Sequence, residues 1–298
     1  VKRNRYGEEA VPSELIKTML ESGVHFGHKT SRWNPKMKKY IFGKRSGIYI
    51  IDLEKTEECL ATARDFLVDI TSKGDSVLFV GTKKQAQEVV LQQAQRCGMP
   101  YVTERWLGGM LTNFATIKKS INRLKEIETM KQDGTFEKLT KKEVALLEKE
   151  SAKLKNHFGG IVAMERMPKS IFIVDTLKED TAVREARRIG IAVLGLLDTN
   201  SDPDLVEYPV PGNDDATKSI QAITTVIADS VIEGRKKFVS YLAHESVAVK
   251  NDKIVMPEAA AAPVEAGEAP AAPAEETATA PKAPAAAEKP RASARKKA

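Results

Sequence analysis

The chain has 298 residues, with 47 Lys and Arg against 41 Asp and Glu, a formal charge of +6 and a pI near 9.1. That balance favours a polyanionic partner without proving one. Two isolated cysteines, Cys59 and Cys97, exclude a disulfide scaffold and suit a reducing cytosol. No apolar run reaches the roughly 18 residues of a membrane span, so no membrane partner is expected.

The opening VKRNRYGEEAVPSEL lacks an apolar signal core, and residues 1–12 read as an extension. Leu15, Ile16, Met19 and Leu20 share one face of a short helix over 13–22, which Gly23 stops. The segment GVHFGHKTSRWNPKMKKYIFGKR follows. IYIIDL, over 48–53, is strand-like, and Asp52 stands where it can cap a helix over about 55–72. Gly74-Asp75 turns into a strand at 76–80. TKKQAQEVVLQQAQRCG is the next helix, and 100–103 is another short strand.

After RWLGGMLTN the pattern changes. Ile117, Ile121, Leu124, Ile127 and Met130 form one stripe of a helix over 116–131. Thr140 and Glu143 have capping-box spacing at the start of a second helix, which runs to about 156. Two long charged helices with a thin apolar seam predict a projecting αα-hairpin across 112–158. SIFIVD (170–175) and IAVLGLL (191–197) are continuous apolar strands with a helix between them. DTNSDPDLVEYPVPGNDD is irregular and leads to a helix over about 216–238.

Strands apolar on both faces alternate with helices, as in a parallel sheet covered on each side. The expectation is an α/β fold: a doubly wound, Rossmann-like or flavodoxin-like, mostly parallel sheet of about five strands. The helical hairpin interrupts it between the third and fourth strands. The α/β domain spans 13–238, a linker 239–256, and an Ala/Pro-rich tail 257–298. The tail holds 18 Ala and 7 Pro, too little apolar surface to offset ordering entropy, so it is expected to be disordered.

Between Lys29 and Arg45 stand seven cations and no carboxylate, with Trp33, Tyr40 and Phe42 threaded among them. Such a segment can set ammonium and guanidinium groups against phosphates while rings lie on bases. It can equally be a solvated basic loop whose aromatics anchor it. Arg105-Trp106-Leu107-Gly108-Gly109 is a second basic–aromatic site, whose glycines permit close backbone approach or merely shape the turn. Gly81-Thr82-Lys83-Lys84 ends a strand, where an anion can bind, yet it matches no nucleotide-binding motif. Asp198, Asp202, Asp204, Glu207, Asp214 and Asp215 could hold a hard cation, with His25 or His28 nearby, or could simply make turns and helix caps. Capping is the stronger reading of the acidic run, and structural hydrogen bonding that of the two histidines. No metal, cofactor or small-molecule substrate is expected.

FGHKTSRWNPKM, FVGTKKQAQ, YVTERWLGGMLTNF, IFIVDT and LLDTNSDPDLVEYPVPGNDDATKSI, in that order, resemble the bacterial family of small-subunit ribosomal protein number two, from about Leu15 to Phe238. Departures are modest: Ser31 stands where a second Arg is common, Ala192 where Pro often follows Gly-Ile, and Ser201 where Cys is frequent. The resemblance implies a Rossmann-like body with a protruding coiled coil, lodged between head and body of the cytoplasmic small subunit. It implies a structural protein and not an enzyme, with small-subunit rRNA and neighbouring ribosomal proteins as partners. Among those neighbours is the large protein S-one, whose docking it supports. The motif-matched RNA contacts it implies are Lys29, Arg32, Trp33, Asn34, Lys36, Lys38 and Lys39, with Lys44, Arg45, Arg105, Trp106, Thr112 and Asn113 added. The rival classes are an enzyme on the same sheet and a free regulatory RNA-binding protein.

Overall fold

The computed structural model describes residues 13–252; the expected extension over 1–12 and the Ala/Pro tail lie outside the described residues. The first helix, α1 (Glu14–Glu21), starts where the Ser13 hydroxyl accepts the Ile16 N–H at 3.2 Å. The basic segment then folds. Strands β1 (Phe26–Lys29), β2 (Ile41–Arg45) and β3 (Ile48–Ile51) form an antiparallel sheet in the order β1-β3-β2. A 3-10 turn over Pro35–Tyr40 separates β1 from β2. Ser46 and Gly47 close the β2–β3 hairpin, both at positive φ (51° and 76°). A two-residue turn of this left-handed kind matches the twist of its flanking strands. The strand-like reading of IYIIDL anticipates β3, whereas nothing in the basic stretch anticipates β1 and β2.

Asp52 caps α2 (Leu53–Ser72), its carboxylate accepting from the Glu54 N–H. Then come β4 (Val77–Val80), α3 (Lys84–Cys97) and β5 (Tyr101–Val102). Helices α4 (Phe114–Gln132) and α5 (Lys141–Phe158) are joined through a short 3-10 turn at Thr135–Lys138. The Thr140–Glu143 capping box forms as its spacing predicts. Ion pairs Arg123–Glu150 (3.3 Å), Lys131–Glu148 (3.6 Å) and Lys155–Glu128 (3.9 Å) link the two helices. The chain returns through β6 (Ser170–Val174), α6 (Asp180–Ile189), β7 (Ala192–Leu197), β8 (Tyr208–Pro211) and α7 (Thr217–Asp252). The last helix passes the expected end at 238 and takes up most of the predicted linker.

The five parallel strands lie in the order β5-β4-β6-β7-β8. Numbered along the chain within this sheet, that is 2-1-3-4-5, the flavodoxin-like doubly wound order. The count of five agrees with expectation, but its membership does not. IYIIDL belongs to the small antiparallel sheet. The fifth parallel strand is Tyr208–Pro211, inside the stretch read as irregular. Its two prolines fit because β8 pairs only with β7 and is an edge.

Alternate residues of the buried strands feed two cores. Phe79, Phe172, Leu194, Leu196 and Val210 pack with α2, α3 and α7 on one face. Leu78, Val80, Ile171, Ile173 and Val193 pack on the other, with α6 and the start of α4. Cys97 is buried and Cys59 partly so, as expected of structural thiols. Burial pushes the Cys97 thiol up to about 11, which keeps it protonated.

Candidate nucleic-acid interface

The cationic ribbon is the three-stranded sheet and its 3-10 turn. Two of its side chains, Met37 and Tyr40, are buried in the second core and fasten it to the body. Asn34 adds a polar anchor. Its N–H donates to the Thr199 carbonyl at 2.8 Å, while its side-chain oxygen accepts from the Lys36 N–H at 3.0 Å and starts the 3-10 turn. The cations between these anchors face outward because neighbours such as Met37 and Tyr40 take the inward positions.

Lys29, Arg32, Lys38, Lys39, Lys44 and Arg45 are all exposed, and none forms an ion pair among the described residues. The Lys39 ammonium lies 4.9 Å from the centre of the Tyr40 ring. Trp33 is half-buried against Tyr49, ring centres 5.0 Å apart. Lys36 is different. Its ammonium is 2.8 Å from Asp202 and 2.9 Å from Asp204, so two carboxylates from the acidic stretch already hold it. These bonds keep the Lys36 ammonium above its ordinary range.

Phe42, on β2, is 70% exposed amid these cations. It is one of the threaded aromatics but stands outside the expected contacts. Its signal in the sequence is the ring's place between Tyr40 and Lys44, on the opposite side of the strand from the inward Ile41.

The RWLGGMLTN loop is organised by a residue that no motif singles out. Glu185, on α6, is buried and accepts from the Trp106 indole N–H (3.2 Å) and the Gly109 N–H (2.7 Å) with one oxygen. The other oxygen accepts from the N–H groups of Leu111 and Thr112 and from the Thr112 hydroxyl, each at 3.1 Å. Burial alone would raise its pKa, but these donors hold its carboxyl below the usual range. The loop reading is corrected accordingly. Trp106 is 8% exposed, a core residue whose ring is not presented outward. Thr112 spends its hydroxyl on Glu185. Asn113 stands at the start of α4 and accepts from the Thr116 hydroxyl at 2.8 Å. Arg105 remains exposed, with no ion pair among the described residues.

The ribbon, the loop and the doubly wound body all lie inside one family match: the model described as "Ribosomal protein S2" covers residues 19–234. The chain belongs to the ribosomal protein S2 family. A relative named "Small ribosomal subunit protein uS2" from Treponema pallidum (strain Nichols) is 58% identical over 218 residues, 73% of this chain and 75% of the relative. One of the same name from Geotalea uraniireducens (strain Rf4) is 55% identical over 219 residues, 74% of this chain and 86% of the relative. Membership of the S2 family makes this a structural ribosomal protein and not an enzyme. No described helix is long and apolar enough to cross a membrane.

On this S2-family body, the carboxyl ends of the parallel strands hold carboxylates. Lys83 lies there, its side chain 14% exposed, 2.7 Å from Asp214, 2.6 Å from Asp215 and 3.5 Å from Asp175. Burial would lower its pKa, yet bonds to Asp214 and Asp215 hold its ammonium above the ordinary range. Three carboxylates around this lysine leave no place for an anion, so the phosphate reading of the turn at Gly81 fails at Lys83. The acidic stretch divides three ways: Asp202 and Asp204 hold Lys36, Glu207 accepts the Val193 N–H at 2.9 Å, and Asp198, Asp214 and Asp215 gather near His28. Capping goes to Asn213, which accepts from the N–H groups of Asp215 and Ala216. His25 stands apart, its pKa lowered by burial.

Proposed function

We propose that this chain is an rRNA-binding constituent of the cytoplasmic small ribosomal subunit. Its relatives carry the name of that particle's protein. The observation that supports RNA binding is the ribbon: exposed cations on a sheet fastened to the body by Met37 and Tyr40 and, Lys36 apart, no carboxylate among the described residues spent on them. Lysines and arginines so placed neutralise phosphates and release counterions, and the rigid body keeps them in register. Lys29, Arg32, Lys38, Lys39, Lys44, Arg45 and Arg105 are the phosphate contacts in this reading. Trp33 and Phe42 are the stacking rings. Asn34 positions, and Lys36 contributes only by breaking its own pairs. Recognition is of RNA shape, held between head and body.

The α4–α5 pair serves in this proposal as a coiled-coil hairpin for protein neighbours. Its apolar stripe of Ile117, Ile121, Leu124 and Ile127 is buried, and its outer surface is rich in charge, with Leu146 exposed among the charged residues. Docking of protein S-one is assigned to this chain as well.

The test is the salt dependence of small-subunit rRNA binding by the chain carrying Lys38→Ala, Lys44→Ala and Arg45→Ala together. Affinity should fall, and the slope of log K against log salt should flatten by about 0.7–0.9 per lost phosphate contact. An unchanged slope with a folded variant would show that these cations face only solvent.

A further inference from the structure

Helix α6 covers the second core beside the ribbon. Its Ala182, Val183 and Ala186 pack inward among Met37 and Tyr40 of the ribbon and Trp106 of the RWLGGMLTN loop. Its outward side carries Arg184, Arg187 and Arg188, all exposed. Residues three and four apart share one face of a helix, so the three arginines point the same way. We propose that Arg187 and Arg188 form a second phosphate-binding strip, on α6, which grips the same rRNA as the ribbon. The proposal rests on the reading of this chain as an RNA binder and extends that interface to an element outside the cationic stretch.

The charges of α6 leave these two arginines unspent. The helix has two acids, and both are used within the chain. Asp180 holds Arg184 at 2.8 Å, and Glu185 turns inward to the loop. Arg187 and Arg188 make no ion pair among the described residues. Both lie in the last turn of α6, where the helix dipole favours a cation. The dipole leaves their guanidinium groups in water, where an outside polyanion can reach them. A planar guanidinium takes a phosphate through two parallel N–H bonds.

Two further contacts fix where the strip stands. The bond to Lys36 is the main cause that keeps the Asp202 carboxyl below its ordinary range, and the nearby charge of Arg187 adds to it. Asp202 thus lies between a ribbon lysine and an α6 arginine, which sets α6 next to the ribbon's 3-10 turn. On the other side, five hydrogen bonds from Trp106, Gly109, Leu111 and Thr112 to Glu185 tie α6 to the loop that carries Arg105. The arginines therefore sit on a helix held at a set offset from the ribbon, and a rigid offset lets two strips meet one folded RNA in register.

The full chain carrying Arg187→Gln with Arg188→Gln would be compared with the parent for binding to small-subunit rRNA over a salt series. The urea midpoint would be read on the same samples. The slope of log K against log salt should flatten by about 1.4–1.8, the sum for two lost phosphate contacts. Arg187→Lys with Arg188→Lys should keep the slope, because the charge is unchanged. Lys17→Gln with Lys218→Gln, which removes two exposed lysines from helices packed on the first core, should also keep it. The ribbon variant with Lys38, Lys44 and Arg45 replaced by Ala would be run alongside. If the ribbon variant flattens the slope and the α6 pair does not, the proposal is overturned and the RNA reading stands. If neither does, both fall. Equal flattening by the Lys17 and Lys218 pair would reveal a general charge effect and overturn the proposal as well. An unchanged slope with a lower urea midpoint would reduce the two arginines to partners of the helix dipole. An unchanged slope with lost entry into small subunits would turn α6 toward a protein neighbour instead of RNA.

Discussion

The ribbon and the crest of the parallel sheet are both dense with charge, but the crest's lysine is paired within the chain, whereas, Lys36 apart, the ribbon's cations have no ion pair among the described residues. On the ribbon, Lys38, Lys44 and Arg45 stand in solvent with no ion pair among the described residues. At the crest, Lys83 touches three carboxylates and is largely out of water. Water solvates an exposed ammonium at little cost, so the ribbon's cations can wait for an outside polyanion. A buried charge has no such option and must find its partner during folding. Stability should therefore be concentrated at the crest and affinity at the ribbon.

Removing the cation from the crest is the harshest test of that division. Lys83→Met leaves Asp175, Asp214 and Asp215 facing one another without their common partner. Breaking a buried pair from one side costs about 3–5 kcal/mol, read as a lower urea midpoint. The folded fraction should keep its rRNA salt slope. A stability loss well below about 1 kcal/mol would mean that the crest, like the ribbon, is served by solvent.

Glu185 should come next, at about 2–3 kcal/mol for Glu185→Gln, because an amide cannot accept from all its donors. The pH dependence has a definite sign. The folded protein holds this carboxyl below its ordinary value of 4.5, so its stabilisation is complete above that pH. It is lost as pH falls through the lower folded value. The stability gap between the parent chain and Glu185→Gln should shrink on acidification below about pH 4.5, as chemical denaturation at a series of pH values would show. A gap that does not change with pH would mean that ionisation of Glu185 is irrelevant to the loop.

Glu185 also marks where sequence reading stops. A lone Glu inside an amphipathic helix looks like a solvated position, and nothing in ARRIG or EAR reveals that a loop more than seventy residues earlier converges on it. The basic–aromatic pair Arg105-Trp106 reads as a second RNA surface because composition does not tell an outward ring from an inward one. In the ribbon the same signature does coincide with exposure at Lys38, Lys44 and Arg45, which stand outward while Met37 and Tyr40 turn in. Doubly wound order is legible from apolar strands alternating with helices. The edge strand Tyr208–Pro211 is not, since two prolines argue for a loop until the strand is known to lack an outer neighbour. The meeting of His28 with Asp198 and Asp214 is tertiary from end to end.

A smaller effect separates ring from charge within the ribbon. Phe42→Ala removes a mostly exposed ring that contributes little to the core, so thermal stability should change by less than about 0.5 kcal/mol. If the ring lies on a base, rRNA affinity should drop by about 1–3 kcal/mol with the salt slope untouched, because stacking releases no counterions. A changed slope with unchanged stacking energy would place Phe42 among positioning residues.

The finest distinction is between two lysines two residues apart. Lys38 has no carboxylate partner among the described residues, whereas Lys36 is gripped by Asp202 and Asp204. Each phosphate neutralised by a free lysine should appear as about 0.7–0.9 in the salt slope. A lysine already paired must first surrender its carboxylates, and the two acids then repel the approaching phosphate. Lys38→Ala should therefore flatten the slope by nearly the full amount and Lys36→Ala by much less. Asp202→Asn with Asp204→Asn should free Lys36 and steepen the slope relative to the parent chain. Equal losses for the two lysines would mean that RNA pulls Lys36 out of its pairs, and that the ribbon is remade on binding and not presented ready-formed.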